Sequence, residues 1–229
     1  MTRAYSVGDG SSPSPEQLRE FQRRMGPPEN ELPGAIAFRA VVGRTDEFVV
    51  AIIGADVYST GISISIAVRL RRSDRSEAGL AHELFGRGHR GARGGELLVG
   101  VAYPDGRTAT NVSAPLPDPL TGLDHPTLAQ GGGGGGGRSF SIDYWLSPLP
   151  PPGDLTIVVA WPSHGVDETH TLMPADLIAN GLAHNVELWP WESPADDDDP
   201  PAPELPVLPE GGWFAEHMPD NPPHTSETP

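Results

Sequence analysis

Residues 61–71 read Gly-Ile-Ser-Ile-Ser-Ile-Ala-Val-Arg-Leu-Arg, and this alternation decides the fold class. Apolar side chains stand at every second position, with small, polar or basic side chains between them. Successive side chains of a strand point to opposite faces, so one face of this segment is apolar and the other is polar. A helix would not gather the same apolar side chains on one side. The segment therefore predicts a half-buried antiparallel strand.

Further segments with the composition of short strands lie on both sides of this one. They are residues 35–42, 47–58, 96–103, 107–113, 139–147 and 155–161. The continuous apolar run within 47–58 predicts a strand covered on both faces, with a bulge at Gly54. We expect 155–161 to be the last strand. Turn residues between several of these segments favour hairpin connections.

Two helices are expected beside the strands. Ser14 can cap a helix that begins at Pro15, and Gln17 then completes a capping box. A second helix is predicted from Pro174 to about Val186, because its apolar residues recur at helical spacing.

The composition of the chain predicts three regions. Residues 1–34 form an N-terminal segment with the short helix, partly disordered, and residues 35–191 form the β domain. Residues 192–229 are rich in proline and acidic residues, and this composition predicts a disordered tail. Within the domain, residues 114–138 contain seven consecutive glycines and are expected to be a flexible loop between two strands.

About seven short strands with turns between them indicate a mainly β fold. We predict an immunoglobulin-like antiparallel β-sandwich with a C-terminal helix and disordered tails. The alternative is a partly open barrel. The chain has no cysteine, which excludes the disulfide of antibody domains, thiolate metal sites and cysteine nucleophiles.

The charge of the chain is strongly acidic, with a formal net charge of −16. Ten of its 31 acidic residues follow Trp191, where there is no arginine or lysine. No apolar run is long enough to span a membrane and no apolar leader is evident, so we expect no membrane and a cytoplasmic location. The acidity also makes nucleic acid an unfavourable partner.

Several short segments carry a resemblance to a protein family. They are residues 58–61 (Tyr-Ser-Thr-Gly), 104–107 (Pro-Asp-Gly-Arg), 131–137 (seven glycines), 144–150 (Tyr-Trp-Leu-Ser-Pro-Leu-Pro), 161–168 (Trp-Pro-Ser-His-Gly-Val-Asp-Glu) and 188–190 (Leu-Trp-Pro). The chain resembles actinobacterial (high-GC Gram-positive) β-rich proteins of unknown function over about residues 42–191. The resemblance implies a small cytoplasmic β-rich protein and implies no activity, cofactor or site residue.

One segment combines imidazole and carboxylate side chains within seven residues. His164, Asp167, Glu168 and His170 can together supply ligands for zinc or another divalent ion. If residues 168–172 are extended, Glu168 and His170 share one face. A solvated loop explains the same residues equally well. This segment supports the alternative function of a metal-ion-binding protein or a hydrolase.

Arginines cluster after the alternating segment. The candidate binding residues there are Arg69, Arg71, Arg72, Arg87, Arg90 and Arg93. A basic segment with glycine spacing can follow a phosphate backbone, and the first two arginines can equally be the solvent face of the strand. A third interpretation is that the acidic tail associates with this arginine-rich loop.

An apolar island interrupts the acidic tail. Trp213, Phe214 and Met218 can order on a partner, dock on the chain's own domain, or have no role. Neither this island nor the other segments contain a catalytic motif. The sequence therefore predicts a non-catalytic protein–protein interaction or accessory module with an unknown protein partner and no cofactor.

Overall fold

A computed structural model describes residues 14–71, 84, 97–112 and 124–192 of the chain. All of these belong to the first of two units, Met1–Ser193, and the second unit is Pro194–Pro229. Helices α1 and α2 span Pro15–Arg24 and Ala175–Ala183. The strands are β1 (Glu31–Leu32), β2 (Gly34–Ile36), β3 (Ala40–Arg44), β4 (Phe48–Val57), β5 (Ile62–Leu70), β6 (Leu98–Ala102), β7 (Thr108–Thr110), β8 (Thr127–Gly136), β9 (Ser139–Ser147), β10 (Leu155–Trp161), β11 (Val166–Met173) and β12 (Val186–Glu187).

The alternating segment forms β5 in the middle of the larger sheet. Ile62, Ile64, Ile66 and Val68 are each at most 1 % exposed, and the serines between them are half-buried. Strand β5 pairs antiparallel with β4 on one side and with β9 on the other. The predicted half-buried antiparallel strand is confirmed.

The described strands form two main sheets and one short ribbon. The larger sheet has the order β2-β4-β5-β9-β8, and β3 also pairs with β4. The smaller sheet has the order β11-β10-β6-β7, and β1 pairs with β12. Buried residues of both sheets, such as Phe140 and Ile157, belong to one hydrophobic core. The chain is therefore mainly β with antiparallel sheets, as predicted, and the arrangement is consistent with a β-sandwich.

The first predicted strand is divided in two. Strand β2 pairs with the C-terminal end of β4, and β3 pairs with the N-terminal part of the same strand. Between them the N–H of Phe38 donates to the carbonyl oxygen of Ile36 at 2.8 Å, which makes a tight turn. The apolar composition of residues 35–42 conceals this turn.

Strand β4 is buried on one face, so the prediction that both faces are covered is wrong. Its residues alternate between buried and more accessible positions, and Ile53 is 40 % exposed. The predicted bulge is confirmed, because the register with β5 shifts between Ile52 and Gly54. The bulge places the apolar Ile53 at an accessible position, which is why the run of apolar residues is longer than the buried face requires.

The glycine run forms strand β8, although the sequence predicts a flexible loop over residues 114–138. Strand β8 pairs antiparallel with β9, with a register shift between Gln130 and Gly133. The φ angles of Gly133 and Gly135 are +153° and +150°, which residues with a side chain rarely adopt. Backbone pairing needs no side chain, and beside the glycines it is β9 that supplies the buried apolar groups of this hairpin. Periodicity cannot predict such a strand because glycines carry no pattern.

We expect Gly135 to tolerate alanine much less well than Gly134. A Cβ atom at Gly135 would lie 2.2 Å from the carbonyl oxygen of Ser139 and 2.6 Å from the Cα atom of Phe140, whereas a Cβ atom at Gly134 meets nothing within 4 Å. Gly135→Ala should lower the free energy of unfolding by about 1–3 kcal/mol, and Gly134→Ala by less than about 0.5 kcal/mol. Urea denaturation of both variants measures the difference, and equal losses would contradict the close approach of β8 to β9.

The chain continues as a strand beyond β10, so the prediction that β10 is the last strand is wrong. A 3₁₀ helix at Pro162–His164 leads into β11, which pairs antiparallel with β10. Strand β11 is at the edge of the smaller sheet, and most of its side chains are accessible and polar. Its sequence therefore lacks an apolar pattern. Both predicted helices are present, α1 with its capping box between Ser14 and Gln17. Helix α2 ends at Ala183, and Val186, the predicted end of that helix, belongs to β12.

A buried carboxylate connects distant parts of the chain. The side chain of Glu31 on β1 is 3 % exposed. Its Oε2 accepts hydrogen bonds from the Ser59 N–H at 2.9 Å and from Nδ2 of Asn185 at 2.7 Å, and its Oε1 accepts from the Ser59 hydroxyl. Nη2 of Arg23 lies 3.8 Å from Oε1. Glu31 thus links α1, the β4–β5 turn and the segment before β12.

Candidate binding site

A surface pocket of about 490 Å³ opens at one end of the larger sheet. It lies between the β3–β4 turn and the end of β5. We call it the arginine pocket, and its lining residues are Arg44, Thr45, Asp46, Glu47, Phe48, Val49, Arg69, Leu70 and Arg71.

Strand register brings the arginines of the pocket together. Arg44 on β3 pairs with Val49 on β4, and Val49 pairs with Arg69 on β5. Paired residues project from the same face of a sheet, so the two arginines flank Val49. With strands about 4.8 Å apart, the two arginine Cα atoms are about 10 Å apart. Arg71 follows two residues after Arg69, and its N–H donates to the carbonyl oxygen of Glu47 at 2.8 Å.

The positive charges of the pocket are not neutralised by ion pairs within the described part of the chain. Arg44, Arg69 and Arg71 form no ion pair with a described carboxylate. Asp46 and Glu47 also line the pocket, so acidic groups lie at the same opening. The pocket therefore offers three guanidinium groups beside two carboxylates.

One of the three guanidinium groups is held in place by the sheet. Nη1 of Arg69 donates to the carbonyl oxygens of Val68 at 3.1 Å and Phe140 at 2.7 Å. The remaining N–H groups of a guanidinium are still donors, because the group has five. A guanidinium binds a carboxylate or phosphate through two parallel hydrogen bonds. The arrangement is thus suited to an anionic group.

An aromatic cluster supports the floor of the pocket. Phe48, the first residue of β4, lines the pocket and is 2 % exposed. Its ring centroid lies 5.4 Å from that of Trp161 and 4.7 Å from that of His164, and the last two rings are 4.1 Å apart. These contacts hold the start of β4 against β10 and the 3₁₀ helix. The β3–β4 turn, which forms one wall of the pocket, leads directly into Phe48.

The predicted metal-binding residues do not meet at one place. His164 is buried in the aromatic cluster, whereas Glu168 and His170 are exposed on β11 and lie 2.9 Å apart, from Oε1 to Nε2. Asp167 is also exposed. Within residues 14–71, 84, 97–112 and 124–192, no three or more His, Cys, Asp or Glu side chains are placed to hold one metal ion.

Two of the predicted binding residues, Arg69 and Arg71, lie in the arginine pocket. The other predicted binding residues fall outside the described part of the chain, namely Arg72, Arg87, Arg90, Arg93, Trp213, Phe214 and Met218. Arg44 belongs to the pocket but was not predicted. The sequence feature that could have identified Arg44 is the β3–β4 hairpin. Once the register of this hairpin is known, Arg44 lies beside Val49.

Comparisons with known proteins assign no family to the chain. Neither the known protein families, nor the curated proteins, nor the solved structures contain a match. Among the described helices, none is long and apolar enough to cross a membrane. The arginine pocket is therefore interpreted from its own geometry and charge.

Proposed function

We propose that this protein is a non-catalytic interaction module whose arginine pocket binds a carboxylate-bearing segment of a partner protein. The observation that carries the proposal is the gathering of Arg44, Arg69 and Arg71 around one opening without an ion pair to a described carboxylate. Guanidinium groups recognise carboxylates with a defined, bidentate geometry. The pocket thus combines charge with directional hydrogen bonding.

The charge of the chain favours a short acidic segment over a nucleic acid. A net charge of −16 repels a long polyanion, and nucleic-acid affinity depends on neutralising many phosphates at once. A pocket of about 490 Å³ is the size of a cleft for a few side chains.

We also propose the immunoglobulin-like type for the sandwich, on the strength of the strand order. If β4, β5, β9 and β8 are strands A, B, E and D, the larger sheet has the order ABED. Strands β6, β10 and β11 then correspond to C, F and G, and β7 extends the smaller sheet. The cytoplasmic location and the relation to actinobacterial proteins, both predicted from the sequence, are part of this proposal.

Reversing two charges of the pocket should abolish partner binding. We expect the full-length protein to retain a stoichiometric partner from native lysate, and Arg44→Glu/Arg71→Glu to lose it, with an affinity at least about tenfold lower. Quantitative mass spectrometry of the retained proteins identifies the partner, and titration calorimetry with that partner measures the affinity. Arg69 is left unchanged because its hydrogen bonds to Val68 and Phe140 stabilise the sheet, so its substitution could also alter the fold.

The matched control is Arg19→Glu/Arg39→Glu, which makes the same change in net charge at exposed positions outside the pocket. It should retain the partner as the wild type does. Circular dichroism checks that each variant is folded. A partner that stays bound to Arg44→Glu/Arg71→Glu, or the absence of any partner, would contradict the proposed function.

A further inference from the structure

Strand β8 is at one edge of the larger sheet among the described strands. Within the described residues it pairs with β9 alone. Its sequence, Thr-Leu-Ala-Gln followed by six glycines, contains no charged residue and no proline. After the register shift, residues 133–136 are paired with β9 and exposed to solvent. We call residues 133–136 the glycine edge.

The other edge strands described carry features that discourage pairing with a further strand. Strands β2 and β7 have three residues each. Strand β11 carries Asp167, Glu168 and His170 at exposed positions. Short strands and charged side chains are common protection of sheet edges. The glycine edge has no side chain that could provide such protection.

Residues 133–136 are exposed to solvent and have no side chains to cover their own backbone groups. In an antiparallel pair every second residue directs its N–H and C=O away from the partner strand. These groups form the row that an added strand would use in β-augmentation. Glycine also allows the φ angle of +150° at Gly135 that keeps this part of β8 close to β9.

The end of the glycine edge at Gly136 lies at the same end of the larger sheet as Arg69. Arg69 pairs with Ser139, and Ser139 pairs with Gly136. Arg138 lies in the turn that joins β8 to β9, and its Nη1 donates to the carbonyl oxygen of Arg71 at 3.4 Å. A strand added beyond β8 is three strand spacings from β5, about 14 Å. Four extended residues span that distance.

We propose that the glycine edge binds an extended segment of the partner protein as an additional antiparallel strand, with acidic residues at the amino end of that segment. The proposal rests on the proposed function, because the acidic end is the part that the arginine pocket binds. Strand β8 runs toward Arg138, so an antiparallel partner begins beside Arg138. Backbone pairing supplies binding along β8, and the arginines fix the direction of the segment.

A second copy of the chain is a less suitable occupant than a partner segment. Each chain carries a net charge of −16, and two such chains repel each other. If two β8 strands paired antiparallel, the two Arg138 residues would lie at opposite ends of the paired strands. Each would then face a β8 strand that contains no acidic residue. Charge complementarity therefore favours an acidic segment from another protein.

The test uses a capped synthetic peptide with four glutamates followed by six alternating threonines and valines. Its affinity for the full-length protein is measured by calorimetry. A second peptide has the same sequence with an N-methyl group on every residue of the threonine–valine part, so that neither edge of the strand can donate hydrogen bonds to β8. We expect the N-methylated peptide to bind at least about tenfold more weakly. A third peptide, with the glutamates at the carboxyl end, should also bind more weakly.

Hydrogen exchange locates the bound peptide independently of its affinity. At saturation, amide exchange in residues 133–136 should slow by at least about tenfold, with no change at the edge strand β11. Equal affinity of the plain and N-methylated peptides, absence of binding, or unprotected glycine amides would overturn the proposal. The function would still stand if the partner retained from lysate depended on Arg44 and Arg71, so the two proposals fail separately.

Discussion

Replacing Trp161 with alanine is expected to lower the free energy of unfolding by about 3–5 kcal/mol. Trp161 is fully buried at the end of β10, where its ring contacts those of Phe48 and His164. Among the described residues, Trp161 is the largest fully buried side chain, and truncation leaves a cavity that its neighbours only partly fill. Because Phe48 lines the arginine pocket, we also expect the β3–β4 turn to become less ordered.

The control for this prediction is the same substitution at an exposed tryptophan. Trp189 is 54 % exposed, and Trp189→Ala should change stability by less than about 0.5 kcal/mol. Urea denaturation followed by far-UV circular dichroism measures both variants without depending on tryptophan fluorescence. A loss below about 1 kcal/mol for Trp161→Ala would contradict the packing of the aromatic cluster.

Replacing Glu31 with glutamine is expected to cost about 2–4 kcal/mol of stability, because a buried carboxylate accepting several hydrogen bonds is lost. The amide has the same size but offers one acceptor oxygen and a donor group. The N–H of Ser59 and Nδ2 of Asn185 both donate to Oε2 of Glu31. With the amide, either these two donors lose their acceptor, or the hydroxyl of Ser59 must accept from the amide group instead of donating, and the hydrogen bonds are no longer made to a charged group.

The contribution of Glu31 should depend on pH. Burial raises the pKa of the Glu31 carboxyl, but hydrogen bonds from Ser59 and Asn185 and the charge of Arg23 outweigh burial, so the pKa lies below the ordinary value of 4.5. A lowered pKa in the folded state means that the stabilisation is complete above the unfolded-state pKa. It is lost as the pH falls through the lower, folded-state pKa. The stability difference between wild type and Glu31→Gln should therefore shrink below about pH 4.5.

Glu187→Gln is the matched control for Glu31→Gln. Glu187 pairs with Glu31 across the β1–β12 ribbon, but its side chain is exposed. Its substitution should alter stability by less than about 0.5 kcal/mol. Denaturation curves from pH 3 to pH 7 for all three proteins give the comparison. A constant difference between wild type and Glu31→Gln over this range would show that the carboxyl is not stabilised in its charged form.

Local sequence patterns predict several elements of the fold closely. Residues 139–147 and 155–161 have the alternation and apolar content of strands, and they form β9 and β10 with those bounds. The helix cap at Ser14 is equally local, since its hydrogen bonds join residues three apart. Such elements are predictable because the residues that stabilise them are neighbours in the sequence.

The candidate site is predictable only in part. Arg69 and Arg71 stand next to the alternating strand, so the sequence marks them as candidates. Arg44 is distant from them in the chain and reaches them through two strand pairings. His164, by contrast, is close to Glu168 and His170 in the sequence, but the 3₁₀ helix and β11 direct them to different surroundings. Sequence proximity therefore identifies two residues of the arginine pocket and misses the third, and it wrongly groups His164 with Glu168 and His170.

By itself, the sequence determined that the chain is mainly β, where β5, β9 and β10 lie, and that α1 begins at a capping box. Only the tertiary structure decided that the glycines of β8 form a strand, that Glu31 is buried, and that Arg44 joins the arginine pocket. The reason is the range of the interactions. Side-chain periodicity is fixed by adjacent residues, whereas the pairing of strands and the burial of a charge depend on groups that the fold brings together from distant positions.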